Sequence, residues 1–433
     1  MVDLAISRIK VSQYKNLSSK SVFNFRPLTV LIGPNGSGKT NLINLLQFLH
    51  DTVSDTNYSE PSVTRFDTAV SEIGGDHILD GRLKAPNDVG FRFSFPAREN
   101  NQENVLDLKL RVQGGGRKII INEEILYQQK TGRDDSFYFY QSHNKRSGIG
   151  VVSVKDDPLS KPTHFYNLED LPTDELTLVS IPKLLEKSQY PPENTPVFEV
   201  RRKLIDSIST WRFYNANNMN LQKIRNAEPR LGSSDIYLLP SAENLPLVLA
   251  NLINRPLSGI DFEDSLNRAM QDALPWTRRI RSIPSGRLNL VTAWSIQYPG
   301  QSTEEFYLSD MSDGSVRMLC WACILLSTEL PSLLIIEEPE IGIHVAWMRI
   351  LANWIKQAAT RTQVILSTHS PDLLDHFTEN LEDVFVMQVA DKEPGRFYMS
   401  GLNRDSLKTQ LEEGWQLGDL YRIGDPTVGG WPW

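Results

Sequence analysis

The stretch that decides the fold lies near the start of the chain, at residues 31–40. It reads Leu31-Ile32-Gly33-Pro34-Asn35-Gly36-Ser37-Gly38-Lys39-Thr40. The apolar run that ends at Ile32 predicts a buried β-strand, and the segment after Thr40 has leucine and isoleucine spaced three or four residues apart, as in a helix. Strand, glycine-rich turn and helix in this order, with Gly-x-x-x-x-Gly-Lys-Thr spacing, predict a phosphate-binding loop.

Each part of this loop has a predicted chemical role. Glycines let backbone N–H groups surround a polyphosphate without a clash from Cβ atoms, and the helix N-terminus adds partial positive charge. We expect the Lys39 ammonium to reach the β- and γ-phosphates of ATP and the Thr40 hydroxyl to bind Mg²⁺. The residues predicted to contact the nucleotide are Gly33, Pro34, Asn35, Gly36, Ser37, Gly38, Lys39, Thr40 and Asn41.

The composition is that of an ordinary globular protein with room for two or more core-bearing units. The chain has 433 residues, of which 40% are hydrophobic and 23% charged. No run approaches about 18 consecutive apolar residues, and the first residues lack the apolar core of a signal peptide, so we expect a cytoplasmic protein without membrane contact. The net charge of −8 argues against a surface that is basic all round.

Three local features could carry chemistry but have simpler explanations. Basic clusters at residues 201–203 and 278–281 could form a nucleic-acid surface, although runs of charge usually just face solvent. Both cysteines fall in Cys320-Trp321-Ala322-Cys323, inside an apolar run. With no second cysteine pair, this spacing favours small buried side chains on a helix over a redox or metal site.

Hydrophobic patterning divides the rest of the chain into β-rich and helical parts. Runs at 89–95, 105–112 and 118–121 predict an antiparallel sheet, and the predicted helices cover 197–212, 242–254 and 261–273. We therefore predict a nucleotide-binding lobe with an antiparallel β subdomain from residues 1–165 and 325–433, and a mainly helical lobe from residues 166–324. The tail, 418–433, is predicted to be extended and docked on the body, or poorly ordered.

Two carboxylates and a histidine follow buried strands in the last third of the chain. Glu337 and Glu338 end the apolar run 333–336, and His369 ends the run 363–367. Parallel strands place such residues at the carboxyl edge of the sheet, where ligands bind. Glu337 suits a residue that binds Mg²⁺ through water, Glu338 a general base for the attacking water, and His369 a contact to the γ-phosphate. A turn with solvated acids and a structural histidine is the simpler alternative.

Taken together, these motifs resemble the ABC-class ATPases of the RecF/SMC/OLD kind, specifically the stand-alone RecF-like AAA ATPases without a Toprim domain. The resemblance spans most of the chain and departs from the family pattern at Glu337, where aspartate is commoner. It implies an α/β ABC-ATPase head: a mixed sheet around the P-loop core, an antiparallel β subdomain and a helical lobe that carries the signature. Five motifs carry the resemblance: Walker A (33–40), signature (311–315), Walker B with the catalytic glutamate (333–338), D-loop (339–344) and switch (368–370).

The resemblance also implies a shared site between two copies. In this family two heads enclose two ATP molecules, and each ATP is held by the Walker motifs of one copy and the signature of the other. Ser312 and the backbone of Gly314 are thus expected to contact the γ-phosphate in trans, in a symmetric homodimer. Tyr14 is a candidate for stacking on adenine.

Several functions fit this expectation. The first is an ATP-driven dimeric switch in anti-phage defence that works with a separate effector protein, a nuclease or toxin, or acts on DNA or RNA. A DNA-repair or recombination ATPase is a variant of it. The alternatives are the nucleotide-binding subunit of a transporter, disfavoured by the long insert between P-loop and signature, and a scaffold that binds ATP without hydrolysing it.

Overall fold

A computed structural model describes residues 5–54, 64–78, 88–99, 102–114, 118–130, 136–155, 164–186, 188, 190, 195–390 and 395–429. The strands are β1 (Arg8–Ser12), β2 (Val22–Asn24), β3 (Leu28–Ile32), β4 (Asp88–Glu99), β5 (Gln102–Gly114), β6 (Ile119–Lys130), β7 (Ser136–Ser142), β8 (Gly150–Val154), β9 (His164–Leu168), β10 (Arg212–Asn215), β11 (Thr277–Ser285), β12 (Asn289–Ile296), β13 (Glu304–Tyr307), β14 (Leu333–Glu337), β15 (Gln363–Ser367), β16 (Val384–Val389) and β17 (Phe397–Gly401). The helices are α1 (Lys39–Val53), α2 (Arg65–Glu72), α3 (Thr177–Leu185), α4 (Val197–Ser209), α5 (Leu221–Arg225), α6 (Leu245–Ile253), α7 (Ser258–Ala273), α8 (Asp313–Leu326), α9 (Met348–Ala359), α10 (Pro371–Leu374), α11 (Lys408–Glu412) and α12 (Leu417–Arg422).

A six-stranded sheet in the order β10-β14-β15-β3-β16-β17 forms the centre of the molecule, and only β17 runs antiparallel to its neighbour. All five residues of β3 and of β15 are buried. Strands covered on both faces are expected to read as continuous apolar runs, and this explains why runs such as Leu333-Leu334-Ile335-Ile336 lack polar alternation.

Successive residues of the central strands face two different cores. Val30 and Ile32 belong to a core built mainly from α6 to α9 and the C-terminal helix α12. Leu31, between them, faces a second core that includes α1, α2 and the inner face of an eight-stranded antiparallel sheet. Because successive side chains of a β-strand point to opposite faces, the central sheet packs against one core on each face and connects the two.

The antiparallel sheet has the order β2-β1-β4-β5-β6-β7-β8-β9, and a separate three-stranded sheet, β11-β12-β13, packs on α6 and α7. These elements confirm the predicted mixed α/β head with an antiparallel β subdomain. Within the described ranges, no helix has both the length and the apolar character needed to cross a bilayer.

Several predicted boundaries are wrong in detail. The helix predicted over 197–212 ends at Ser209, because Arg212 begins β10, and β10 pairs in parallel with β14 of the central sheet. The helices predicted from 242 and from 261 begin at Leu245 and Ser258. The tail starts with the short helix α12, whose Leu417 and Leu420 are buried; residues 430–433 lie outside the described part. The assignment of 1–165 with 325–433 and of 166–324 to two lobes stays a prediction.

Candidate nucleotide-binding site

The glycine-rich loop connects β3 to α1 through backbone conformations that favour glycine. Gly33 has φ 137° and Gly38 has φ 92°. A Cβ atom on Gly33 would lie 2.9 Å from the carbonyl oxygen of Met387, and one on Gly38 would lie 2.7 Å from Cδ2 of Leu17. Both positions therefore need glycine for two independent reasons, the backbone angle and the lack of space.

Lys39 lies at the first turn of α1 and folds back over the loop. Its Nζ donates hydrogen bonds to the carbonyl oxygens of Gly33, at 2.8 Å, and of Pro34, at 3.1 Å. Burial lowers the pKa of Lys39 to about 8, and the charge of Glu338 opposes that shift. The lysine is thus a buried donor held by uncharged carbonyl groups, which a phosphate oxygen can replace with a stronger, charge-assisted partner.

Thr40 and Asn41, which follow Lys39, differ in how free their side chains are to contact a ligand. Thr40 is exposed. The Asn41 side chain donates to Oδ1 of Asn16 at 2.8 Å and accepts from Nζ of Lys15 at 3.2 Å, so both ends of its amide are engaged with the segment after β1. Asn16 in turn donates to the carbonyl oxygen of Gly36 at 2.7 Å. Asn16 thus stabilises the loop although it lies outside the motif, and no sequence pattern predicts this role of Asn16.

The proposal that Tyr14 stacks on adenine is wrong. Its side chain is fully buried, packs edge-on against Phe91 with ring centroids 5.3 Å apart, and donates to the carbonyl oxygen of Asn41 at 3.3 Å. A ring enclosed in this way has no free face for a base. Tyr14 instead fixes the start of α1 to the antiparallel sheet.

The acidic pair lies at the carboxyl edge of the same sheet. Glu337 of β14 pairs with Ser367 of β15, and Ser367 pairs with Leu31 of β3, so the three strand ends are in register beside the loop. Oε1 of Glu337 accepts from Nδ2 of Asn215 at 3.4 Å. Burial raises the pKa of Glu337, the Asn215 hydrogen bond opposes this, and the charge of Glu338 adds to it.

Glu338 sits in a strained backbone conformation. Its φ is 49°, in the left-handed region that a residue with a side chain rarely adopts, and its N–H donates to the carbonyl oxygen of Ser367 at 2.9 Å. Oε2 of Glu338 accepts from Nδ2 of Asn217 at 3.2 Å. The turn directs this carboxylate towards the loop, where its charge acts on both Lys39 and His369.

His369 follows β15 in a segment tied down by Glu340. Oε1 of Glu340 accepts from the Thr368 hydroxyl at 2.7 Å and from the N–H groups of His369 and Ser370, each at 3.1 Å. Nδ1 of His369 lies 3.3 Å from the hydroxyl of Tyr421 in α12. Burial lowers the pKa of His369, the Lys39 charge lowers it further, and Glu338 opposes both.

The signature segment forms the N-terminus of α8. Ser312 is exposed and caps the helix, its Oγ accepting from the N–H of Ser315 at 3.3 Å. Arg225 donates to the carbonyl oxygen of Met311 and pairs with Asp313, both at 2.6 Å. A Cβ on Gly314 would meet the carbonyl oxygen of Gly342 at 3.3 Å, so the signature packs on the D-loop of its own chain.

Arg317 connects the signature helix to the acidic pair. Its Nη1 donates to the carbonyl oxygen of Ala216 at 2.6 Å, and Ala216 precedes Asn217, the partner of Glu338. The turn after β10 therefore contacts the catalytic candidate and the signature helix in the same chain. Sequence patterns could not indicate this link, because it joins residues about a hundred positions apart.

The oxygen donors available near the loop fit a magnesium ion. Mg²⁺ takes oxygen ligands and commonly keeps several waters, with one or two protein groups and substrate phosphates completing its shell. The Thr40 hydroxyl and the Glu337 carboxylate are such groups. Burial raises the pKa of Glu337, and a cation bound beside it would lower that pKa. Across the described residues, no group of three or more His, Cys, Asp and Glu side chains could hold a metal without the nucleotide.

Both basic clusters make contacts within the chain. Arg201 donates to the carbonyl oxygens of Leu178 and Val179, and Arg202 pairs with Glu199. Arg279 pairs with Glu263 and Arg281 with Glu305. The three carboxylate partners offset part of the positive charge that the clusters offer a nucleic acid, and the hydrogen bonds of Arg201 to backbone carbonyls engage a fourth guanidinium. The prediction for the cysteines is confirmed: Cys320 and Cys323 are buried free thiols on α8.

The mixed head fold, the glycine-rich loop and the strand-end glutamates define the class: an ABC-type ATPase head domain. Residues 28–375 match the family described as "AAA domain, putative AbiEii toxin, Type IV TA system", and the chain belongs to this family. Membership implies ATP binding. No protein of curated function matches the chain.

One solved SMC head is similar to the chain in fold. An SmcHead bound to the C-winged helix domain of ScpA has a TM-score of 0.51 at 12% identity, covering 93% of this chain and 99% of that one. The SMC head domain from Thermotoga maritima has a TM-score of 0.44 at 13% identity, with 92% and 99% covered. An Smc head with an extended coiled coil, derived from Pyrococcus furiosus, has 0.44 at 12% identity, with 94% and 98% covered. At these identities the likeness concerns the fold.

Proposed function

We propose that the chain hydrolyses ATP at a site shared by two copies, and that ATP binding and hydrolysis switch the pair between closed and open states. The observation that carries the proposal is the meeting of three groups at one sheet edge. Lys39, Glu338 and His369 come from three separate segments. Burial lowers the pKa of Lys39 and of His369, the charge of Glu338 opposes both shifts, and the charge of Lys39 lowers the pKa of His369 further. Perturbed titratable groups that converge beside a phosphate-binding loop are typical of a catalytic site.

Each group has a distinct part in the proposed reaction. Lys39 exchanges its carbonyl partners for β- and γ-phosphate oxygens and neutralises charge that develops on them. Glu338, held in its strained turn, accepts a proton from the attacking water, and His369 donates a hydrogen bond to the γ-phosphate. Thr40 and Glu337 would hold Mg²⁺, which supplies Lewis-acid stabilisation of the phosphate charge when bound.

The exposed signature supports a two-copy arrangement. Ser312 and Asp313 are exposed although they begin a helix that is otherwise deeply buried. The N–H groups at the start of α8 can bind an anion such as a phosphate. Asp313 is the acidic residue in the first turn of this helix. One copy of each motif per chain implies two equivalent sites in a symmetric pair, with Ser312 and Gly314 facing the partner's ATP.

The biological role follows from the family and is also a proposal. Its description names a toxin of a type IV toxin–antitoxin system, which supports a role in anti-phage defence. A separate effector, a nuclease or toxin, is a further part of the proposal. The ion pairs of Arg202, Arg279 and Arg281 and the backbone hydrogen bonds of Arg201 give less support to direct binding of DNA or RNA.

The decisive experiment compares ATP hydrolysis by wild type, Glu338→Gln and the control Glu379→Gln. Glu379 is 87% exposed at the surface and is paired with Arg404, away from the proposed chemistry. Removing the general base is expected to lower kcat at least about 100-fold while ATP binding persists. Equal rates of hydrolysis by wild type and Glu338→Gln would overturn the role of Glu338 as general base. No hydrolysis by wild type would overturn the proposal as a whole and favour a scaffold.

A further inference from the structure

The C-terminal helix α12 brings a tyrosine to the site from a region that contains none of the predicted motifs. The hydroxyl of Tyr421 lies 3.3 Å from Nδ1 of His369 and 3.5 Å from the carbonyl oxygen of Gly33. Burial raises the pKa of Tyr421, and the charge of Glu340 raises it further. The phenol therefore keeps its proton at neutral pH and has one hydrogen to donate.

The geometry favours donation of that hydrogen to His369. The carbonyl oxygen of Gly33 already accepts from Nζ of Lys39 at 2.8 Å, and it is the more distant of the two acceptors. Because burial and Lys39 lower the pKa of His369, its imidazole is neutral at pH 7. In a neutral imidazole one nitrogen accepts and the other carries the hydrogen. When Nδ1 accepts from Tyr421, Nε2 carries it.

We propose that Tyr421 is a positioning residue that fixes the tautomer and ring orientation of His369, so that Nε2–H serves as the donor to the γ-phosphate. This inference rests on the proposed ATPase function. Without the phenol, the neutral ring can place its hydrogen on Nδ1 and present a lone pair to the phosphate, which repels a negatively charged oxygen. Only one of the two tautomers can donate at Nε2.

The rest of α12 is built to hold Tyr421 against the switch segment. The N–H of Gly418 donates to Oδ1 of Asp375 at 2.8 Å, and a Cβ on Gly418 would lie 2.0 Å from the carbonyl oxygen of Pro371. Arg422 pairs with Asp372 at 2.5 Å. Because α10 begins two residues after His369, these contacts between α12 and the α10 region also hold the Tyr421 phenol in place beside the His369 imidazole.

The charged groups around the imidazole come from two further segments. Lys39 of α1 and Glu338 after β14 act on the ring, and Glu340 accepts from the His369 backbone N–H. None of these is an acceptor or donor for Nδ1 in the described structure, where the bond at that nitrogen goes to Tyr421. The tautomer is therefore set from α12.

The test compares Tyr421→Phe with wild type and with Tyr398→Phe. Tyr398 donates to Oε1 of Gln388 at 2.8 Å within β17 and β16, so its replacement also removes one phenol hydrogen bond, but away from His369. Imidazole ¹⁵N spectra of the nucleotide-free chain, with His369 assigned from a His369→Gln spectrum, report the tautomer directly. Steady-state ATPase kinetics report its consequence.

We expect His369 to be the Nε2–H tautomer in wild type and Tyr398→Phe, and a mixture of tautomers in Tyr421→Phe. We also expect Tyr421→Phe to lower kcat about fivefold with KM for ATP changed less than about twofold. An Nδ1–H tautomer in wild type, or an unchanged spectrum and kcat in Tyr421→Phe, overturns the inference. Absence of hydrolysis in wild type would instead overturn the proposed function, because the spectra need no nucleotide.

Discussion

The amide of Asn217 donates to Oε2 of Glu338 at 3.2 Å, and it does so from the turn that also receives Arg317 of the signature helix. The carboxylate proposed as general base is thus oriented by the element that touches the signature. If α8 moved when two copies close, Arg317 would shift the turn at Ala216 and Asn217, and this turn would change the position of the Glu338 carboxylate.

Replacing Asn217 by alanine is expected to lower kcat about threefold, because the exposed hydrogen bond that orients Glu338 is lost and the carboxylate samples other positions. KM for ATP should stay the same. Steady-state ATPase assays measure both quantities. Asn226→Ala is the control, since Asn226 is an exposed amide that donates to the carbonyl oxygen of Gln222 in its own helical turn. Equal kcat values for the two variants would show that Asn217 does not orient the base.

Glu340 accepts hydrogen bonds from the switch segment, and we expect replacement of Glu340 to lower the stability of the protein. Glu340→Ala leaves the N–H groups of His369 and Ser370 without their acceptor, so we expect the free energy of unfolding to fall by about 2–3 kcal/mol in denaturant titrations. Glu340→Gln keeps an acceptor oxygen at the same position and should cost less.

The pH dependence of Glu340 provides a second test. Burial raises its pKa above the unfolded value, hydrogen bonds from Thr368 and the backbone oppose this, and Glu338 adds to it. The raised pKa favours folding below the unfolded value of about 4.3, and this contribution is lost as pH rises through the folded value. The stability of Glu340→Gln relative to wild type should therefore increase as pH rises from about 4 towards neutral. A difference independent of pH would contradict the assigned shift.

Gly429 closes the C-terminal segment against the nucleotide loop. It has φ 74°, and a Cβ there would lie 2.6 Å from Cγ1 of Val386 and 3.3 Å from Cα of Gly33. Gly429→Ala should push the segment off the loop and weaken ATP binding, measured by titration calorimetry, by about fivefold or more. Gly414→Ala is a matched control, because Gly414 also has positive φ, 90°, but open space around its Cβ position. Equal ATP affinity of the two variants would contradict the prediction that the contact of Gly429 with the loop supports ATP binding.

Local sequence patterns predict those parts of the site whose residues lie close together in the sequence. Gly33 to Thr40 and the pair Glu337–Glu338 follow buried strands within a few residues, so apolar runs and motif spacing were enough. Asn217, Glu340 and Tyr421 act through contacts set by tertiary structure: Tyr421 meets Gly33 across 388 positions. No local period encodes such a contact. The described part of the tail is docked on the body, as predicted, but it begins with a helix and not with an extended segment. Glycine, proline and tryptophan dominate its composition, and the helix signal of Leu417 and Leu420 with Asp419 at the third position is short.

The most direct test of a site shared by two copies is complementation between Lys39→Ala and Ser312→Arg chains. Each variant alone should neither hydrolyse ATP nor associate with itself in ATP. In a mixed pair, the Walker motifs of the Ser312→Arg chain meet the intact signature of the Lys39→Ala chain, which restores one complete site. Mixing should therefore produce ATP-dependent capture of one tagged variant by the other, with hydrolysis up to roughly half of wild type, because each mixed pair has one complete site of two. Failure of the mixture to associate or hydrolyse, while wild type does both, would contradict a site in which Ser312 acts on the partner's ATP.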